Sequence, residues 1–168
     1  MPNWCNNNFS ITGNTESIKD LWDAAQTANN GEFGLLEAIK PIGEWEYGTA
    51  VESWGTKWDV SDEGLEFTDN GDGTASISGW FESAWAPPIA AYEQLAADFD
   101  SCVIECSYYE PGMDFAGFWS SENGEEHLDD LHSEYESDNP SELYKRLDDE
   151  YGLSEQFEEW EEMEADDA

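Results

Sequence analysis

Cys102 and Cys106 lie four positions apart, with Cys5 far upstream. A strand through residues 102–109 would point both thiols, with Ile104 and Tyr108, to one face. The spacing is not that of a zinc knuckle, and no histidine lies nearby in the sequence. Free cysteines are among the most buried residue types, so all three are expected in a core. His127 and His132 are five apart in a stretch that reads as an acidic helix. Two ligands on one helical face prefer a spacing of three or four, so no metal is expected there. Residues 69–73 (DNGDG) look like part of a calcium loop, but placing Gly73 at the invariant glycine leaves Thr68 and Gly79 where ligands belong. A hairpin turn is the better reading.

Paired carboxylates occur throughout the chain, in runs such as Glu158-Glu159 and Glu161-Glu162. General acid–base work needs a carboxyl in a shaped, partly dry pocket, and runs of acids read instead as a solvated face. The sequence has no glycine-rich phosphate loop, nucleophile elbow or Cys–His pair in a plausible context. The expectation is therefore no catalytic residue, no metal and no cofactor. Lys57 is one of only three bases in the first 119 residues, and it stands between Trp54 and Trp58. Strand alternation would put it on the opposite face from both indoles. It either pairs with one of the many acids or forms, with Trp54, Trp58, Trp80 and Trp85, a small ligand or partner surface on a sheet.

These residues must be placed by a chain of 168 residues, the size of one domain with an appendage. Nine Trp, seven Tyr and eight Phe are enough for a real core. The net charge is −36, shared equally by residues 1–119 and by the last 49, so the tail is more than twice as densely charged. Such a charge repels nucleic acid and anionic membranes and attracts basic surfaces. No apolar run approaches the roughly 20 residues of a membrane helix, and the N-terminus lacks the basic and apolar regions of a signal peptide. An odd, small number of cysteines points to a reducing, cytoplasmic setting.

Residues 79–90 (GWFESAWAPPIA) organise the first 120. Residues 74–81 alternate as a half-buried strand, while Ile89, Tyr92, Leu95, Ala96 and Phe99 recur at helical spacing. Pro88 suits the first helical position. Upstream, residues 7–12 read as a strand, and Asn14 or Thr15 can cap a helix carrying Ile18, Leu21, Trp22 and Ala25. Residues 35–42 suggest a loop. Residues 50–60 alternate, with Trp54, Thr56, Trp58 and Val60 on one side, and residues 65–68 pair with 75–81 across the DNGDG turn. Residues 102–109 and 113–119 supply further strands. The sum is an α+β fold, βαββαβ with an extra edge strand, whose two helices cover one face of an antiparallel sheet in the ferredoxin-like plan. After it come three short helices with narrow apolar stripes, Leu128/Leu131/His132/Tyr135, Leu143/Leu147/Tyr151 and Phe157/Trp160/Met163, the third capped by Ser154. Residues 165–168 are expected to fray. The organisation expected is a domain over 1–126 and an acidic helical extension over 127–168.

Several stretches resemble the YubB ferredoxin-like domain family of plasmids and bacteriophages: residues 2–7 (PNWCNN), 54–59 (WGTKWD), 84–88 (AWAPP), 110–117 (EPGMDFAG) and the turn Asn123-Gly124-Glu125. They occur in order and span residues 1–126. Glu82-Ser83-Ala84 departs from the Thr that often precedes Ala-Trp in that family. The resemblance implies the fold and a mobile-element origin, the acidic tail looking like the phage branch, and implies no established catalytic residues. "Ferredoxin-like" names a topology; three cysteines cannot supply the four thiolates of an iron–sulfur cluster.

The tail's 20 acids are of the order of the charges on a ten-base-pair turn of DNA, about one per 1.7 Å. The leading expectation is a non-enzymatic DNA mimic or antagonist that binds a basic, nucleic-acid-handling or defence protein of the host, without itself binding nucleic acid or membrane. Its contacts would be Asp129, Asp130, Glu134, Asp148, Asp149, Glu158, Glu159, Glu161 and Glu162. One alternative is a protein-interaction module using the aromatic surface, with acidity for solubility. Another is a ligand-binding or enzymatic site near Lys57.

Overall fold

The computed structural model describes residues 3–99 and 101–166. In chain order the elements are β1 (Trp4–Asn14), α1 (Thr15–Thr27), α2 (Leu35–Ile39), α3 (Tyr47–Trp54), β2 (Leu65–Asp69), β3 (Thr74–Ala84), α4 (Ile89–Asp98), β4 (Val103–Glu110), β5 (Phe115–Ser120), β6 (Gly124–Asp129), α5 (Leu131–Glu136), α6 (Glu142–Tyr151) and α7 (Leu153–Asp166). The six strands form one antiparallel sheet in the order β2-β3-β1-β4-β5-β6. The first four have the split βαβ order of a ferredoxin-like domain, and β5 and β6 widen it on one side.

β1 forms because, Asn7 and Trp4 apart, its odd positions are apolar or small and its even positions polar. Cys5, Asn7, Phe9 and Ile11 are buried on the face covered by α1 and α4, with Ala75, Ile77 and Phe81 of β3 and Ile104, Cys106 and Tyr108 of β4. Asn14 caps α1 by accepting the Glu16 and Ser17 N–H groups, and α1 buries Ile18, Leu21 and Ala25. Phe9 stacks on Tyr92 of α4 at 5.4 Å, and Tyr92 meets Trp119 of β5 at 5.5 Å, so the aromatics tie the layers together.

Three expectations are corrected. Residues 50–60 are not a strand. They contain the end of α3, which buries Ala50 and Trp54 four apart, and then a loop. Gly55 ends α3 at φ 86°, and a side chain there would crowd the backbone of Pro87, Ile89 and Ala90 at the start of α4. Residues 35–39 are the short helix α2, whose first N–H groups are held by Asp59: Leu36 and Glu37 donate to its carboxylate at 2.8 and 2.9 Å. His127 lies on β6, not on a helix; residues 126 and 127 are neighbours inside that strand. The sequence left open where the last three helices lie. α5–α7 pack back on the opposite face, where Leu131, Tyr144, Leu147, Leu153 and Phe157 form a second core with Tyr109 and Ala116. Arg146 adds its guanidinium over the Phe118 ring at 3.7 Å. α7 runs through Asp166; of the stretch expected to fray, residues 167 and 168 lie outside the described residues.

Pro88 precedes α4 as its cap instead of opening it, and Ser154, expected to cap the last helix, is instead the second residue of α7, two past Gly152, the left-handed stop of α6. The carboxylate that caps the start of α7 comes from Asp148, which accepts the Ser154 N–H and hydroxyl at 2.7 and 2.8 Å.

Candidate binding surfaces

Four of the five stretches that carry the family resemblance converge at one end of the sheet; the Asn123-Gly124-Glu125 turn lies at the other, beside Ser120. Thr56 donates its hydroxyl to Ala84 O at 2.8 Å, and Trp85 donates its N–H to Asn3 O at 2.8 Å. Gly112 approaches the Asn3 side chain so closely that a Cβ would strike it, and the buried Glu110 carboxylate accepts the Gly112 and Met113 N–H groups. At this end Trp85 takes φ 71°, a conformation a bulky residue rarely adopts, enforced by these backbone bonds and by the paired prolines that follow.

The Lys57 side chain lies here, and its placement corrects the alternation argument. Its ammonium sits 4.4 Å from the Trp58 ring centroid and 5.0 Å from that of Trp85. Lys57 and the indoles share a surface because the segment is a loop, free of strand alternation. Trp58 also meets Trp4 at 5.9 Å and Trp85 meets Tyr47 at 6.1 Å. Trp45 donates its indole N–H to Lys57 O at 2.9 Å. The result is an exposed row, Tyr47–Trp85–Lys57–Trp58–Trp4. Of the expected surface residues, Trp58, Trp80 and Trp85 are exposed; Trp54 is not. It is 2 % exposed and donates its N–H to Lys40 O from within the core. Lys57 lies against open ring faces, and its ammonium is already met by their π-density. Trp45, Tyr47 and Trp4 join this surface without having been expected there; the aromatic type of Trp45 and Tyr47 shortly before Lys57 was a usable signal, whereas Trp4 comes from β1 and gave none.

The nine acids singled out in the tail divide by role. Asp130 caps α5, Asp148 caps α7, and Glu134 accepts the Ser141 N–H at 2.9 Å, so these three hold helix ends together. Asp129 meets His127 Nε2 at 3.0 Å, and Glu161 accepts the Tyr135 hydroxyl at 3.4 Å. Asp149, Glu158, Glu159, Glu161 and Glu162 are exposed on α6 and α7.

The thiols are buried, in keeping with core packing. Asn7 donates to Cys5 O at 3.0 Å and to Ser83 Oγ at 2.9 Å, and Tyr92 donates its hydroxyl to Cys106 Sγ at 3.1 Å. Burial pushes the Cys5 thiol far up and Cys106 up to about 12. Thiolate is the reactive form. Cys5 and Cys106 are therefore expected to resist iodoacetamide in the native protein at pH 8 and to react once guanidinium unfolds it. Peptide mapping checks this; rapid labelling of either in the native state would show that these thiols are open to solvent.

His127 and His132 sit on different elements and do not form a pair. His127 joins Tyr108 instead, whose hydroxyl lies 2.8 Å from His127 Nδ1 and 2.7 Å from Glu125. Burial first, then Glu125, raises the Tyr108 phenol. Among the described residues, ligand atoms of His132, Glu136 and Glu161 come within 4.8 Å of one another. His132 Nε2 already meets Glu136 at 3.0 Å, four residues on, and all three side chains lie at the surface. The i, i+4 spacing of His132 and Glu136 was visible in the sequence; Glu161, from α7, was not.

Fold and surfaces together define a ferredoxin-like α+β protein with acidic and aromatic faces. The chain belongs to the family described as the ferredoxin-like domain in Api92-like protein, whose model matches residues 53–165. A solved structure, the crystal structure of a protein api92 from Yersinia pseudotuberculosis, is 20 % identical, with a TM-score of 0.38. The match covers 49 % of this chain and 29 % of that one, so the chain spans under a third of that relative's length. No curated protein matches the chain. No helix among the described residues is long and apolar enough to cross a membrane.

Proposed function

We propose that this is a non-enzymatic acidic protein of a phage or plasmid. In this reading it acts in the host cytoplasm as a DNA mimic or antagonist of a basic, nucleic-acid-handling or defence protein. The observation that supports it most is the anchoring of α5–α7 by Leu131, Tyr144, Leu147, Leu153 and Phe157. Anchored helices hold Asp149, Glu158, Glu159, Glu161 and Glu162 at fixed spacings, whereas a loose tail would lose entropy on ordering them. The net charge of −36 adds attraction at a distance, which salt screens.

The test uses the full chain, because a cut at 126 would fall within β6. Wild type and a variant with these five acids changed to Asn or Gln serve as baits in bacterial lysate. Wild type is expected to capture a DNA-binding protein, release it as salt rises, and block that protein's DNA binding; the variant is expected to do none of these. Equal capture by both baits would defeat the proposal.

The exposed row around Lys57 favours a second reading, in which the partner docks on the aromatic surface and acidity serves solubility. Strain held at Trp85 is the specific observation behind it. Capture that survives high salt and is lost in Trp85→Ala would mark this case.

A further inference from the structure

The half of the sheet that α5–α7 leave open carries its own cleft. Trp4 of β1 and Trp80 and Glu82 of β3 point to this face: Trp80 pairs with Asn8, Glu82 with Asn6 and Ala84 with Trp4. A carboxylate thus stands between two indoles along the strand. Both indoles are substantially exposed, Trp4 at 39 % and Trp80 at 44 %. Glu63 adds a second carboxylate from the loop that folds over the β3 edge. That loop is held tightly. Trp80 N–H donates to Gly64 O at 2.9 Å, and Gly79, at φ 139°, lies so close to Gly64 that a Cβ on either would strike the other segment's backbone. The wall behind Trp80 is therefore fixed before anything binds.

The recess between Trp4 and Trp80 is about 240 Å³. Pockets for drug-sized ligands run to roughly 300–1,000 Å³, so this one suits a single side chain. Past Trp80 it continues into an open cleft of about 500 Å³ over Asn8, Ser10 and Ser107, edged by Glu105 and Glu150. No lysine or arginine lines either part. Indole faces and carboxylates together favour a cation, and the same indole row already holds one, with Lys57 against Trp58.

We infer that the Trp4–Glu82–Trp80 recess is a receptor for one arginine or lysine side chain of a protein partner, whose flanking residues run along the adjoining cleft. The inference rests on the proposed reading that the partner is basic, but its recess is separate from the acids of that reading; only the adjoining cleft reaches α6, at Glu150. Indole stacking and the Glu82 carboxylate select the cation, and the side-chain amides and hydroxyls of Asn8 and Ser10 meet the flanking peptide.

The probe is a blocked octapeptide alternating glycine and arginine, titrated by calorimetry into the full chain, beside the same peptide with citrulline for arginine. A highly acidic protein attracts any cationic peptide, so Asp20→Asn/Glu93→Gln, at exposed acids of α1 and α4, serves as a charge control. Trp80→Ala and Glu82→Gln are each expected to weaken binding by about tenfold, in line with the cation–π range. The control should change it less than twofold, and the citrulline peptide should lose most of the affinity. Circular dichroism verifies that each variant folds. Equal losses in Glu82→Gln and the control, or full affinity for the citrulline peptide, would overturn the inference. The two proposals fail separately. Capture that depends on the α6–α7 acids, alongside peptide binding indifferent to Trp80 and Glu82, removes only the recess. The reverse result removes only the tail.

Discussion

Leu147→Ala is expected to destabilise the protein by about 2–5 kcal/mol, the range for emptying a buried leucine site. Leu147 is 1 % exposed and sits where α6 meets the second core. The effect should concentrate in α5–α7. α5 has six residues and α6 ten, too short to persist without tertiary contacts. Hydrogen exchange is the measurement. Amides of α5–α7 should lose protection by the full amount, and those at the centre of β1 by less. Unchanged protection in α5–α7 would mean that these helices do not depend on the sheet. It would also remove the support given to a fixed acidic surface.

Asn7→Leu is expected to cost about 2–4 kcal/mol, because a buried polar group left unpaired costs about 1–3 kcal/mol. Asn7 is fully buried on the otherwise apolar face of β1, where its amide joins three strands. Nδ2 donates to Cys5 O, Ser83 Oγ and Phe81 O, and Oδ1 faces the Cys106 thiol at 3.6 Å. Leucine fills the same space and makes none of these bonds. If loss of pairing is the cause, Ser83→Ala should cost less in the Asn7→Leu background than in the wild type, since removing both partners of a buried bond costs less than removing one, while the Ser83 hydroxyl's bond to Ala86 O at 2.7 Å is lost in both. Denaturant unfolding of the two single variants and the double variant measures the coupling. Strict additivity would place the cost in packing instead.

Much of the frame was readable because it is written locally. Asn14 before Ile18, Leu21 and Ala25 announces α1, and the strand–Trp-Ala-Pro-Pro–helix passage announces β3 and α4. α3 misled because Trp54, Thr56, Trp58 and Val60 alternate by coincidence: the first ends a helix and the others belong to a loop pinned by Thr56 and Asp59. β6 (GEEHLD) contains almost no strand formers and exists through its pairing with β5, a non-local cause that a local pattern does not record. The tail helices showed their stripes but not the face that receives them. The acids that cap helices, Asp130 and Asp148, stand in the same kind of acidic run as Glu158 and Glu159, which are exposed. The aromatic surface was legible in type and misjudged in membership, since Trp54 turns inward where Trp4 does not.

Among the described residues β6 leaves one border of the sheet without a neighbouring strand, and such a border is a template on which another chain can add. Here it carries Glu125, Glu126 and Asp129 within six residues. A second copy approaching edge to edge would bring carboxylates against carboxylates along the whole contact, and like charges facing each other across strands are destabilising. The acidity of this strand thus guards its backbone, keeping the sheet from growing from one molecule into the next.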